Sequence, residues 1–301
     1  MNIFLTGATG FIGGAVARQF VHAGHKVRGL CRDASRAPAL AAIGITPVIG
    51  TLDDADLLAG EARASDGVVH AANNMHEASV LALLGGLEGT GKHFLHTSGI
   101  GLISKDVQGD STCDDVVDDA SPVSPGTHPA QQMLYALEQH ILGAQASGVR
   151  TVVLSNAMIY GHTPGLERAS AQIALMRSMA DQAGEALFIG RGVNRWSTVH
   201  IEDVAELYLR TLIRGDAAGF YFVESGEVAF ADIAQALATR MKLGKARSAS
   251  LAEASGLIGE IPARFLLGSE ARVHASRARD GLGWQPVAPL LIDWIRSEMA
   301  A

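Results

Sequence analysis

Three glycines spaced three apart, Gly7, Gly10 and Gly13 in Thr6-Gly7-Ala8-Thr9-Gly10-Phe11-Ile12-Gly13, are the residues of this chain best suited to hold an anion. They follow an apolar run at 2–6 and open an amphipathic stretch, so a strand hands over to a helix across them. Gly7 permits a tight turn, Gly10 lets the backbone approach a pyrophosphate, and Gly13 lets helix and strand pack closely. The helix start adds unpaired N–H groups and a partial positive charge. Such a turn binds a dinucleotide, and Gly7, Thr9, Gly10, Phe11, Ile12 and Gly13 are assigned to that task. The end of the second strand bears on which dinucleotide is held. A carboxylate there would accept from the ribose 2′-OH, but the slot holds Cys31. Arg32 follows directly and Arg36 lies one helical turn on, so guanidinium groups stand where a 2′-phosphate would lie. This favours NADP(H), with NAD(H) as the alternative if Asp33 turns back to the ribose.

The elements that must position these residues are legible as alternating short apolar runs and longer amphipathic stretches, the pattern of parallel strands joined by crossover helices. Strands are expected at 2–6, 26–31, 46–49, 67–71, 93–97 and 150–154, and helices beginning near Phe11, Ala34, Asp53, His76 and His128. Further on, the spacing predicts a helix over 168–183, a strand over 196–199 and a helix from Glu202. A strand over 220–223, a helix from Phe230 and a terminal helix after Pro289 complete the reading. The fold class is α/β, a Rossmann doubly wound parallel sheet with a small C-terminal substrate lobe. Residues 1–155, with 196–225 returning to them, form the dinucleotide-binding domain, and 156–195 with 226–301 form the lobe.

Composition excludes several classes of function. The 301 residues carry a net charge of −7 and no clustered basic stripe, which opposes nucleic-acid binding. No apolar run spans a bilayer, no basic leader precedes the first strand, and two distant cysteines, Cys31 and Cys113, make neither a disulfide framework nor a zinc site. A soluble cytoplasmic protein without a metal is expected. The stretch 104–128 is rich in aspartate (Asp106, Asp110, Asp114, Asp115, Asp118, Asp119) but lacks the alternation and closing Glu of a calcium loop, and reads as a mobile acidic flap over the active site.

The glycine motif, together with Val69-His70-Ala71-Ala72, Ile159-Tyr160-Gly161, Val199-His200-Ile201-Glu202-Asp203 and Leu282-Gly283-Trp284-Gln285-Pro286, resembles the extended short-chain dehydrogenase/reductases, the NAD(P)-dependent epimerase/dehydratase superfamily. The resemblance spans nearly the whole chain. It adds Thr51, Leu52, Ala71, Ala72 and Asn73 to the cofactor residues, with Thr51 where an adenine-contacting Asp is common; Asp53 reads as a helix N-cap. The family's chemistry uses a Tyr and a Lys four residues apart, so that the ammonium lowers the phenol pKa. Here Tyr135 is followed four residues later by Gln139, and an alignment anchored on Glu138 puts Ala130 and Leu134 in those slots. The resemblance narrows to atypical members, with Ser98, Tyr135 and His128 as the replacement catalytic candidates. Asn156, Met158 and Trp196 fall where substrate is held, and the last two suggest a substrate less charged than a nucleotide sugar. His200 and Asp203 read as structural, Asp203 acting at the helix start and His200 bonding across it.

The implied activity is that of an NADP(H)-dependent oxidoreductase acting on a small, uncharged carbonyl-type substrate. Two alternatives stay open: an epimerase or dehydratase with tightly bound cofactor, and a non-catalytic NADP(H) sensor. The resemblance also implies a homodimer through the fourth and fifth crossover helices.

Overall fold

The computed structural model, which describes residues 1–163 and 170–299, gathers the apolar runs into one parallel sheet. Its strands are β1 (Asn2–Thr6), β2 (Lys26–Cys31), β3 (Ile45–Ile49), β4 (Gly67–His70), β5 (His93–Gly99), β6 (Arg150–Asn156) and β7 (Gly219–Val223), in the order β7-β6-β5-β4-β1-β2-β3. All neighbours run parallel. The strands are buried because helices cover both faces. On one face α1 (Phe11–His22) brings Val16 and Phe20 onto Ile3 and Leu5 of β1. On the other, α3 (Ala55–Ala64), α4 (Glu77–Leu87) and α5 (Pro129–Gly143) bring Leu58, Leu83 and Ile141 onto Phe4 and Val68. The winding reverses between β1 and β4, which opens a crevice beyond their carboxyl ends.

Several boundaries move for local reasons. The helix expected from Ala34 begins as a single 3-10 turn, Ala34–Arg36, because Asp33 Oδ1 accepts from the Ser35 N–H at 2.9 Å; the α-helix proper, α2, is Ala37–Ala42. Asp53 is not an N-cap: α3 starts at Ala55, and Asp54, which precedes it, turns its carboxylate back to the Thr51 N–H at 2.6 Å. β5 and β6 each extend two residues beyond expectation, since Ser98 pairs Ser155 and Gly99 pairs Asn156 in the ladder. Of the helix expected over 168–183, residues 168 and 169 lie outside the described residues, and α6 is Ala171–Ala183.

The C-terminal half adds a three-stranded sheet of Met158–Tyr160, Arg195–His200 and Gly226–Ala229. Trp196, Trp284 and Trp294 belong to the same apolar cluster as β1. At the start of α7 (Ile201–Arg214) Asp203 stands in the first turn, as expected, but the capping side chain is that of His200. His200 is the N-cap, its Nδ1 accepting from the Glu202 N–H, while Asp203 Oδ1 reaches across to accept from the Val287 N–H at 2.9 Å. The Trp284 indole donates to the Asp203 carbonyl at 3.2 Å, so the Leu-Gly-Trp-Gln-Pro segment is fastened to the Val-His-Ile-Glu-Asp segment.

The acidic stretch 104–128, expected as a mobile flap, is fastened to the fold, because four of its six aspartates are engaged by distant parts of the chain. Asp106 pairs with Arg264 at 2.6 Å, Asp110 accepts from the Arg191 N–H at 3.0 Å, and Asp118 accepts from the Ser276 hydroxyl at 2.6 Å. Two short strands within it, Lys105–Asp106 and Val117–Asp118, pair with Ser269–Glu270 and Val273–His274. Buried Asp119 accepts from the Phe222 N–H at 2.7 Å and the Arg277 N–H at 2.9 Å, so it covers the outer edge of β7. Burial pushes its carboxyl up, and those two N–H donors pull it back. Asp119→Ala strands the buried Phe222 donor and the half-buried Arg277 donor and is expected to cost about 1–3 kcal/mol in urea unfolding; a loss below roughly 0.5 kcal/mol would remove this role. Among the described residues, no group of three or more His, Cys, Asp or Glu is arranged to hold a metal ion, and no helix is long and apolar enough to cross a membrane.

Candidate active site

The crevice at the winding reversal is a cavity of about 810 Å³. Gly7 enters it with φ +79°, and a Cβ there would meet the Ala71 carbonyl oxygen at 2.5 Å. A Cβ on Gly13 would overlap the carbonyl oxygen of Gly7, which is why α1 can lie against the turn only if that position is bare. Gly10 is the N-cap of α1 and supplies no side-chain cap, so the first N–H groups of the helix are left for another acceptor. These features fit a diphosphate: a cradle with no Cβ in the way, beneath an uncapped helix start.

Gly7, Thr9, Gly10, Ile12, Arg32, Thr51, Leu52, Ala71, Ala72 and Asn73 all line this cavity. Three residues assigned to the cofactor do not. Gly13 acts behind the turn by packing, Phe11 uses its carbonyl to accept from the Thr163 hydroxyl at 3.1 Å, and Arg36 sits outside the lining on the short turn after β2. Asp33, the competing ribose ligand, is also outside the lining, and its Oδ1 accepts from both the N–H and the hydroxyl of Ser35. Its carboxyl is held below the usual range, first by the Ser35 hydroxyl and N–H and then by the charges of Arg36 and Arg32. Asp53 and His76, neither of them chosen from the sequence, line the cavity and pair at 3.2 Å.

At the far end of the cavity stand Thr97, Ser98 and Gly99, the last residues of β5. Ser98 donates its hydroxyl to Glu138 on α5, and both side chains are buried. Burial pushes the Glu138 carboxyl up to about 7, against the pull of the Ser98 hydrogen bond. The other two catalytic candidates are elsewhere. Tyr135 lines a second cavity of about 410 Å³ with Glu138 and Arg277. His128 is the N-cap of α5: its Nδ1 accepts from the Ala130 N–H, Gln131 completes the capping box, and the ring packs on Phe265 at 4.9 Å. A ring committed to ending a helix in this way is not aimed at the cavity.

None of the three substrate candidates lines this cavity. Asn156 is buried and donates to the Ser98 carbonyl at 3.2 Å and to the Tyr208 hydroxyl at 3.1 Å, while Tyr208 donates to Thr97 at 2.9 Å. It thus fixes the end of β5 from behind. Met158 is buried in the core, and Trp196 is buried with its indole donating to the Ser269 carbonyl at 3.0 Å. Glu138 is the residue whose task the sequence reading missed. Its signal was a carboxylate within the apolar stripe Leu134, Leu137 and Ile141 of α5, where a charge is costly without a purpose.

Residues 1–110 match the NmrA-like family. Oxidase ucsJ of Acremonium sp is 30% identical across 97% of this chain and 94% of its own length. A 4-hydroxy-2-methyl-3-oxo-4-farnesyl-3,4-dihydroquinoline-1-oxide ketoreductase of Stigmatella aurantiaca is 27% identical across 75% of this chain and 69% of its own. Among solved structures, the UDP-glucose-4-epimerase of Stenotrophomonas maltophila with bound NAD superposes with a TM-score of 0.76 at 19% identity, covering 98% of this chain and 96% of that one. The chain belongs to the NAD(P)-dependent epimerase/dehydratase superfamily, the extended short-chain dehydrogenase/reductases.

Proposed function

We propose that this protein is an NADP(H)-dependent oxidoreductase that reduces a small, uncharged carbonyl compound, with Ser98 as the proton donor. The observation that carries the reading is the meeting, around one cavity, of the bare glycine cradle, the Arg32 guanidinium and the Ser98 hydroxyl. The ketoreductase among the relatives supports the reaction class. Gly7, Gly10 and the start of α1 would hold the diphosphate, and Arg32 the 2′-phosphate, since Asp33 is engaged with Ser35. When bound, the reduced nicotinamide supplies the hydride. The chain's own part is to orient the carbonyl and to give its oxygen a proton from Ser98 Oγ.

Purified protein supplied with NADPH and a panel of aldehydes and ketones should show substrate-dependent loss of the reduced-nicotinamide absorbance. No loss with any of them would reject the reading, and product analysis by NMR would then reveal an epimerase or dehydratase. Arg32→Glu should weaken NADPH more than NADH by roughly 1.5–3 kcal/mol, the value of a charge-assisted bond. Equal weakening of the two, measured by calorimetry, would reject the choice of NADP(H). The reading also carries a homodimer through the outward faces of α4 and α5, supported by exposed Leu81 and Met133.

A further inference from the structure

Glu138 stands between two cavities. Through its Oε1 it accepts from Ser98, which lines the dinucleotide cavity, and it also lines the second cavity beside Tyr135. The rim of that second cavity carries exposed Ala120, Ser121 and Gln139, so it opens toward water. Glu138 Oε2 is buried without a hydrogen-bond partner among the described residues. A buried carboxylate with an unpaired oxygen is costly, and the cost falls when the carboxyl carries a proton. The groups facing it are the Ser98 hydroxyl from β5, Tyr135 from its own helix, and Asp119 and Arg277 across the second cavity.

We propose that Glu138 is the proton reservoir behind Ser98, refilled from solvent through the second cavity. This rests on the reductase reading above. Reduction adds a hydride to the carbonyl carbon and a proton to its oxygen. With Glu138 protonated on Oε1 the hydrogen bond reverses, the carboxyl O–H donating to Ser98 Oγ and freeing the Ser98 O–H for the carbonyl oxygen. The O–H bond of Ser98 then breaks as the product O–H bond forms, and the carboxyl O–H of Glu138 breaks as the Ser98 O–H bond is restored. The Glu138 carboxylate then takes a proton from water, so each turnover consumes one hydride and one solvent proton. With its carboxyl pushed by burial up to about 7, Glu138 is largely loaded in mild acid and emptied in mild base. Glu138 therefore acts through Ser98 and need not touch the substrate.

Two readouts test this. Infrared difference spectra of the cofactor-free protein, titrated with acid and base, should contain a carboxylic-acid C=O band that disappears as pH rises through neutrality. That band should be absent in Glu138→Gln and shifted in frequency in Ser98→Ala, which loses the hydrogen bond. Single-turnover hydride transfer by the wild type should slow as pH rises through neutrality. Glu138→Gln should be at least tenfold slower in mild acid, with a flat pH profile and unchanged affinity for NADPH. Should Glu138→Gln fail to fold by circular dichroism, the Ser98→Ala band shift decides. An active wild type without the neutral-pH band, or a Glu138→Gln profile like that of the wild type, overturns the reservoir alone. A wild type that binds NADPH but reduces no carbonyl overturns the reductase reading itself.

Discussion

Gly13→Ala should lower affinity for the dinucleotide by about ten- to a hundredfold, the equivalent of the roughly 1–3 kcal/mol that overpacking costs. The added methyl group would overlap the carbonyl oxygen of Gly7, so α1 must move away from the turn or the turn must deform. Neither can be absorbed by a side chain, because the obstructing atoms are backbone. Either movement spoils the cradle, since Gly7 is already held at φ +79° against Ala71. Gly60→Ala is the control: Gly60 lies on the exposed side of α3 with open space where its Cβ would be. That change should leave affinity unaltered and add up to about 1 kcal/mol of stability, as alanine does within a helix. Calorimetric titration of both variants with NADPH checks the pair, and a Gly13→Ala protein of wild-type affinity would refute the role given to the cradle.

The second large effect is acid destabilisation by buried histidines. His70 and His96 stack at 5.3 Å between centroids on adjacent strands, and neither is exposed. Burial pushes His70 down to about 4, and approaching His76 adds to this. His96 is pushed down to about 3, again first by burial and then by His70, with the backbone at Asn74 opposing. A base whose pKa falls on folding binds more protons when unfolded, so its contribution is whole above about 6.5 and is lost as pH falls toward the folded value. At pH 4 either ring should cost on the order of 3 kcal/mol relative to pH 7.5.

Glu138 has the opposite sign. Its raised carboxyl favours folding in acid and penalises it as pH climbs from about 4.5 to 7. The histidine term is therefore isolated by comparing wild type with His96→Leu in urea at pH 7.5 and pH 4.5. The variant should lose clearly less stability on acidification than the wild type. Identical losses would mean that the buried rings do not govern the acid limb.

What was legible in the sequence is what chain-local physics decides. Alternating apolar runs gave the parallel strands, and the glycines at 7, 10 and 13 mark the cradle because each answers a local backbone demand. Ser98 could be picked out because Thr97-Ser98-Gly99 resembles the end of the family's fifth strand, although the family's hydroxyl position aligns with Gly99. Tertiary pairings were not legible. Glu138 joins Ser98 across 40 positions, and Asp119 joins Arg277 across 158. The acidic density of 104–128 reads as a solvated loop because the groups that engage it come from Arg191 and from the last third of the chain, β7 included. The capping bond of His128 is not legible either, because an imidazole that accepts from a helix N–H has the same sequence context as one that donates a proton. The burial of Met158 and Trp196 is not legible, because the small sheet that buries them forms only when 158–160, 195–200 and 226–229 meet.

The cradle at the first crossover is the claim on which the functional reading depends. Calorimetric titration of the purified wild-type chain with NADPH and with NADH tests it most directly. The account predicts saturable binding at one site per chain, tighter for NADPH. Failure to bind either nucleotide would contradict it.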